Sequence, residues 1–139
     1  MPTLREKIAQ MFLIGVGAQE LTSEERMAME HYSFGGFILF GRNCRDPVQI
    51  LSLTRALWDT GKGLPPFIAI DQEGGRIHRL PKPFTLFPPA VCLGETGNPK
   101  LAYRVARATA EELAAVGINL DFAPVLDVNS NPKNPVIGD

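Results

Sequence analysis

The chain has little of what most catalytic chemistries announce themselves by. Its 139 residues hold two cysteines, Cys44 and Cys92, and two histidines, His31 and His78. The cysteines lie far apart without a C-x-x-C spacing, so no metal-ligand cluster can be assembled and no metal is expected. Two unpaired thiols are expected rather than a disulfide. Net charge is −1, with neither a basic excess nor an acidic tail; this argues against a nucleic-acid or charged-membrane partner. No Gly-x-Gly-x-x-Gly or phosphate loop follows the first apolar run, which disfavours a nucleotide-dependent enzyme. No cofactor is expected.

Long hydrophobic runs are also missing: none approaches the ~20 residues that cross a bilayer. The stretch Met11-Phe12-Leu13-Ile14-Gly15-Val16-Gly17-Ala18 follows Arg5 and Lys7 and loosely imitates a secretory signal. Glu6 and Gln10 in its approach, and Leu4, Ile8 and Met11 at helical spacing, favour a buried strand preceded by a helix. A cytoplasmic location is the expectation.

What is present is alternation. Thr3 with Glu6 in capping-box register opens a helix to Gln10, and Met11–Gly15 forms a strand. Thr22-Ser23-Glu24-Glu25 opens a second helix to Tyr32, with Met27, Ala28 and Met29 expected inside. Gly35–Phe40 is the second strand. Asp46-Pro47 caps a helix that presents Ile50, Leu51, Leu53, Leu57 and Trp58 on one side and ends at Gly61. Pro66–Asp71 is the third strand. A proline-broken loop from Gln72 to about Asn98 follows; loops of that length in compact domains are usually functional. Asn98-Pro99 caps a last helix carrying Leu101, Val105, Ala108, Leu113 and Val116. Ile118–Phe122 is the fourth strand, and Ala123–Asp139 is loop.

Continuous apolar strands alternating with helices predict a parallel sheet in an α/β protein. A doubly wound sheet and a barrel both fit. Polar residues gathered just after the third and fourth strands favour the barrel. An eight-stranded barrel takes ~250 residues, so the chain reads as about the first four β/α units of a TIM barrel, and as truncated.

The most informative segment is Asp71-Gln72-Glu73-Gly74-Gly75-Arg76-Ile77-His78-Arg79. Asp71 ends an apolar strand, where parallel folds place ligand groups. Paired glycines permit a sharp turn, and Arg79, eight residues on, can return to the carboxylate. A carboxylate that accepts beside a guanidinium that donates suits a ring of hydroxyls. The bland alternative is a salt-bridge network of Asp71 and Glu73 with Arg76 and Arg79. Asp71 favours function; Glu73 and Arg76 favour structure, and His78 reads as structural or peripheral. Asp71 and Glu73 are too close in one loop to flank a scissile sugar bond as a glycosidase pair. In the run after the fourth helix, Asp121 is expected to point away from Leu120 and Phe122, toward a barrel interior. Asp127, Asn129 and Asn131 fit a rigid loop as well as they fit ligand contact.

Together, Gln10–Gly15, Gly35–Phe40, Asp71–Arg79 and Gly117–Asp139 resemble the bacterial β-N-acetylhexosaminidases of glycoside hydrolase family 3. The resemblance implies a TIM barrel that removes terminal β-linked N-acetylglucosamine, in cytoplasmic members from recycled cell-wall muropeptides. It makes Asp71 and Arg79 the residues that bind the non-reducing sugar. It also implies groups that these 139 residues do not contain. These are a binding arginine after the final Ile-Gly-Asp, a Lys-His-Phe-Pro-Gly-His-Gly segment, an Asp-x-His acid/base dyad and an aspartate nucleophile. No catalytic residue is therefore assigned within the chain, and without a nucleophile the retaining mechanism cannot run on it alone. The reading from another class is a non-catalytic half-barrel that binds sugar or associates with itself through open sheet edges.

Overall fold

The structure, a computed structural model, describes residues 2–127, 129–131 and 133–137. Helix α1 (Leu4–Ala9) leads into β1 (Leu13–Gly15), α2 (Ser23–Tyr32) into β2 (Gly36–Leu39), and α3 (Pro47–Trp58) into β3 (Phe67–Ile70). Two helices, α4 (Ala90–Glu95) and α5 (Pro99–Ala115), then precede β4 (Leu120–Asp121). The helix starts follow the local chemistry. Thr3 and Thr22 each form a full capping box, with Glu6 and Glu25. The Asp46 carboxylate accepts the Gln49 N–H ahead of Pro47, and Asn98 does the same for Lys100 and Leu101.

All four strands are parallel and lie in chain order, β1-β2-β3-β4. A doubly wound sheet reverses its order part-way; this one does not. Helical crossovers join each strand to its immediate parallel neighbour, which is how a (β/α)8 barrel begins. The helix-facing side carries Phe37 and Leu39 of β2, in register with Ile68 and Ile70 of β3. These pack with Met29 of α2, with Ile50, Leu53 and Leu57 of α3, and with Leu113, Val116 and Ile118. The opposite face is built from Gly36, Ile38 and Ala69.

Several sequence expectations need correction. Met27 is 62% exposed and Ala28 is exposed, leaving Met29 as the core residue of α2. Its single buried position reflects a helix that touches the sheet along a narrow line. The first strand starts at Leu13, because Met11 and Phe12 donate their N–H groups to Ile8 and Ala9 in the winding-down of α1. It is not fully buried: Leu13 is 41% exposed on an edge. Trp58 is 45% exposed. The expected loop from Gln72 to Asn98 contains α4. The fourth strand is two residues long; just before it Asn119 donates its backbone N–H to Ile68 O at 3.1 Å, while the Ile68 N–H goes to the Asn119 side-chain oxygen at 2.7 Å. Cys44 is buried and Cys92 exposed, both free, and burial pushes the Cys44 thiol up to about 11.

Beside β4 lies an apolar groove of about 520 Å³. Its wall on α5 includes Ala102, Ala106, Ala110 and Ala114, one per turn, with Val105 and Leu113. Leu101, Val105 and Ala108 are half-buried, and Val105 faces this groove.

Gly35 shows how tightly the first two units fit. Its N–H donates to Ala9 O at 3.2 Å, and a Cβ there would collide with the Gln10 carbonyl oxygen. Gly35→Ala must therefore shift backbone, at a cost of about 1–3 kcal/mol. Chemical denaturation is the check; a midpoint equal to wild type would mean that α1 does not pack as described.

Candidate functional site

The site lies where β3 ends. Asp71 follows Ile70 directly, so its carboxylate emerges at the C-terminal edge of the sheet. Beyond it the chain makes a tight hairpin: Glu73 N–H and Ile77 N–H bond across to Ile77 O and Gly74 O, each at 3.0 Å. Gly74 has φ 86° and Gly75 φ 55°, in the region that side chains disfavour. Space imposes the same choice: a Cβ on Gly74 would stand 2.6 Å from Pro88 O, and one on Gly75 2.6 Å from Pro89 Cβ. The glycines permit both the turn and the close seating of the Pro88-Pro89 segment.

The hairpin returns Arg79 to Asp71. Arg79 Nε donates to Asp71 Oδ1 at 2.8 Å, and Arg79 Nη2 donates to Asp71 Oδ2. Two parallel bonds make this a fork-to-fork pair, the geometry in which a guanidinium is held most firmly. Hydrogen bonds to the Asp71 carboxylate raise the Arg79 pKa above its ordinary value, with burial opposing. Both side chains remain about a quarter open, 26% for Arg79 and 22% for Asp71. The pair is thus formed, oriented and reachable.

Other charges surround it. Burial raises the Glu73 pKa above the usual carboxylate value, and Asp71 and Asp121 raise it further while Arg79 lowers it. Asp121 does not point into the barrel side as expected. It is in register with Ile70, a helix-facing residue, and its Oδ1 accepts the Gln72 N–H at 2.9 Å. Burial raises its pKa as well, with Asp71 adding to the effect.

A pH dependence follows from that direction. A carboxyl whose proton is held more tightly in the folded state lowers stability as pH rises from the ordinary carboxylate range through the raised value. At neutral pH that cost is fully present. Asp121→Asn keeps an oxygen for the Gln72 N–H and removes the charge. The variant should melt higher than wild type at pH 7, with the difference vanishing in acid. Thermal melts across pH 3–7 would refute this if the wild type were the more stable at neutral pH.

Arg76 donates to Pro135 O at 3.4 Å and Val136 O at 3.1 Å, so it anchors the last described loop, consistent with a structural role. In that loop Asn131 and Asn134 accept backbone N–H groups two or three residues on, the rigid-scaffold alternative. Asp127 and Asn129 are exposed. Val128, Pro132, Gly138 and Asp139 of the run that carried the resemblance lie outside the described residues.

Two buried amides had no signal in the sequence. Asn43 donates to Val16 O and Ala18 O and accepts Phe40 N–H, tying β1 to β2 at the same edge. Gln72, 5% exposed, bonds to the returning arm at His78, Arg79 and Leu80. Among the described residues no cluster of His, Cys, Asp or Glu could hold a metal, and no helix is long and apolar enough to cross a membrane.

Residues 3–139 match the profile of the Glycosyl hydrolase family 3 N terminal domain. The chain belongs to glycosyl hydrolase family 3. A beta-hexosaminidase A from Pseudoalteromonas piscicida is 47% identical over 118 residues, covering 78% of this family 3 chain and 20% of the relative. A beta-hexosaminidase from Nitrosomonas eutropha is 38% identical over 133 residues, covering 91% and 38%. Among solved structures, the family 3 β-N-acetylglucosaminidase of Paenibacillus sp. str. FPU-7 superposes with a TM-score of 0.93 at 39% identity, over 99% of this chain and 27% of that one. NagZ from Neisseria gonorrhoeae, in complex with N-trifluoroacetyl-D-glucosamine, gives 0.78 at 36%, over 84% and 36%. The family 3 chain thus spans well under half the length of these relatives.

Proposed function

We propose that this chain forms the sugar-gripping half of the catalytic barrel of a β-N-acetylglucosaminidase. In this reading it is the truncated N-terminal part of that domain and supplies its first four β/α units. Asp71 and Arg79 hold the hydroxyls of the non-reducing N-acetylglucosamine, the carboxylate accepting and the guanidinium donating. The observation that carries the reading is the forked pair at the C-terminal edge of β3, where barrels of this kind hold substrate. Relatives named beta-hexosaminidase and β-N-acetylglucosaminidase support the sugar class. Hydrolysis proceeds with retention, through a covalent glycosyl-enzyme intermediate, on a nucleophile and an acid/base group outside these 139 residues. Cell-wall muropeptide fragments met in the cytoplasm are the substrate the resemblance favours.

The test is to titrate the purified chain with N-acetylglucosamine and to assay it with a chromogenic β-N-acetylglucosaminide. Saturable binding without turnover is expected. Robust hydrolysis by contaminant-free protein would place the nucleophile inside the chain and overturn the division of labour; no binding at all would remove the sugar subsite.

A further inference from the structure

Gln72 lies between Asp71 and Glu73 but turns away from the open mouth of the site. It is 5% exposed, and its side-chain carbonyl, side-chain amide and backbone N–H are all engaged. The side-chain carbonyl accepts the Arg79 N–H at 2.8 Å and the Leu80 N–H at 3.4 Å. The side-chain amide donates to His78 Nδ1 at 2.6 Å. The backbone N–H donates to Asp121 Oδ1 at 2.9 Å, which fastens the same residue to β4. One buried side chain therefore bonds to three consecutive residues on the far arm of the hairpin, among them the backbone of the arginine that grips Asp71. Leu80, next along that arm, is 3% exposed in the core and keeps the arm from sliding outward.

The chemistry suits an amide. A neutral group supplies acceptor and donor together, which neither a carboxylate nor a hydroxyl does with this reach. A carboxylate would add another negative charge where Asp71, Glu73 and Asp121 already repel one another. A bidentate fork tolerates little rotation, so the Arg79 backbone has to be fixed before its guanidinium can meet both Asp71 oxygens.

We infer that Gln72 is a positioning residue for the sugar subsite: it acts through Arg79, setting the arginine's backbone so that the Asp71–Arg79 fork is formed before sugar arrives. His78 and Asp121 serve the same function one step further out, as the groups that fix the Gln72 amide and backbone. This rests on the reading that Asp71 and Arg79 hold the sugar.

A double-mutant cycle on the full chain, in the assembled state in which it purifies, tests the inference. Affinity for N-acetylglucosamine is measured by calorimetry in wild type, Gln72→Met, Arg79→Ala and the double variant, with circular dichroism to verify folding. Gln72→Met keeps length and volume but leaves the Arg79 and Leu80 N–H groups without their acceptor. It should weaken binding by about tenfold, and should add nothing in the Arg79→Ala background. An equal loss in both backgrounds would show a general structural effect and overturn the inference, as would unchanged affinity in Gln72→Met while Arg79→Ala binds weakly. If Arg79→Ala itself binds like wild type, the sugar-subsite reading falls, and the positioning role falls with it. Should Gln72→Met fail to fold, Gln72→Asn carries the same comparison, since its shorter side chain brings the amide up one methylene short of the arm.

Discussion

Asp71→Ala is expected to remove most of the chain's affinity for N-acetylglucosamine. A hydrogen bond to a charged group contributes about 1.5–3 kcal/mol, which corresponds to a loss of roughly tenfold to more than a hundredfold in affinity. The substitution also deprives Arg79 of the fork that orients it, so the guanidinium becomes free to swing and the second half of the grip weakens as well. Arg79→Lys should be nearly as damaging, because an ammonium on a flexible stem cannot reproduce two parallel bonds to a carboxylate. Calorimetric titration of folded variants decides the matter. Wild-type affinity in Asp71→Ala would rule out contact between that carboxylate and the sugar.

The second large effect concerns the isolated polypeptide in solution. Among the described residues β1 and β4 each have one neighbour only, and apolar side chains are exposed at or beside both edges. Phe12 is 54% exposed, Leu13 41% and Phe122 46%, with no lysine or proline inside either strand to discourage pairing. The groove along α5 adds a second uncovered surface of small side chains. A sheet with two bare parallel edges and an open apolar flank should self-associate, aggregate or bind a covering partner. Sedimentation of the purified chain is expected to show dimers or larger species, and Leu13→Lys should move the distribution toward monomer. A well-dispersed wild-type monomer that unfolds cooperatively would show that the edges are protected.

Much of the architecture was legible because each unit carries its own punctuation. Thr22 with Glu25, Asp46 with Pro47, and Asn98 with Pro99 mark helix starts through hydrogen bonds that involve only neighbours in sequence. The glycine-bounded strand Gly36–Leu39 and the apolar strand Phe67–Ile70, which follows two prolines, are likewise local signals. Helix α4 was missed for a physical reason: it is six residues long, carries Gly94, and its cap position is Pro89, which offers no side-chain acceptor. Met27 and Ala28 were misplaced because helical spacing names a face but not how wide a stripe of it meets the sheet.

Within the site, Asp71 and Arg79 could be found because a charge at a strand end and a glycine turn are both visible in one dimension. Gln72 and Asn43 could not. A neutral amide looks the same in sequence whether it is solvated or buried with every polar group used, and only the folded chain separates the two. Asp121 faces the other way because alternation separates it from Leu120 and Phe122 without saying which side meets the helices, and only the register with Ile70 decides that.

The sequential strand order bears on how such a chain is made. Among the described strands β1 pairs only with β2, β2 next with β3, and β3 next with β4, so each of these pairings joins a strand to the one synthesised just after it. Contacts close in sequence form fastest, and chains emerge from the ribosome at about 5–20 residues per second. Each β/α unit can therefore dock as it appears, covering the edge left by the unit before it. The longer ties, such as Thr54 Oγ1 to Val116 O across 62 residues, then lock units already in place. One edge of the growing sheet is always its newest strand, and that edge stays exposed only for as long as the next unit takes to emerge, while the β1 edge is left open by all four described strands.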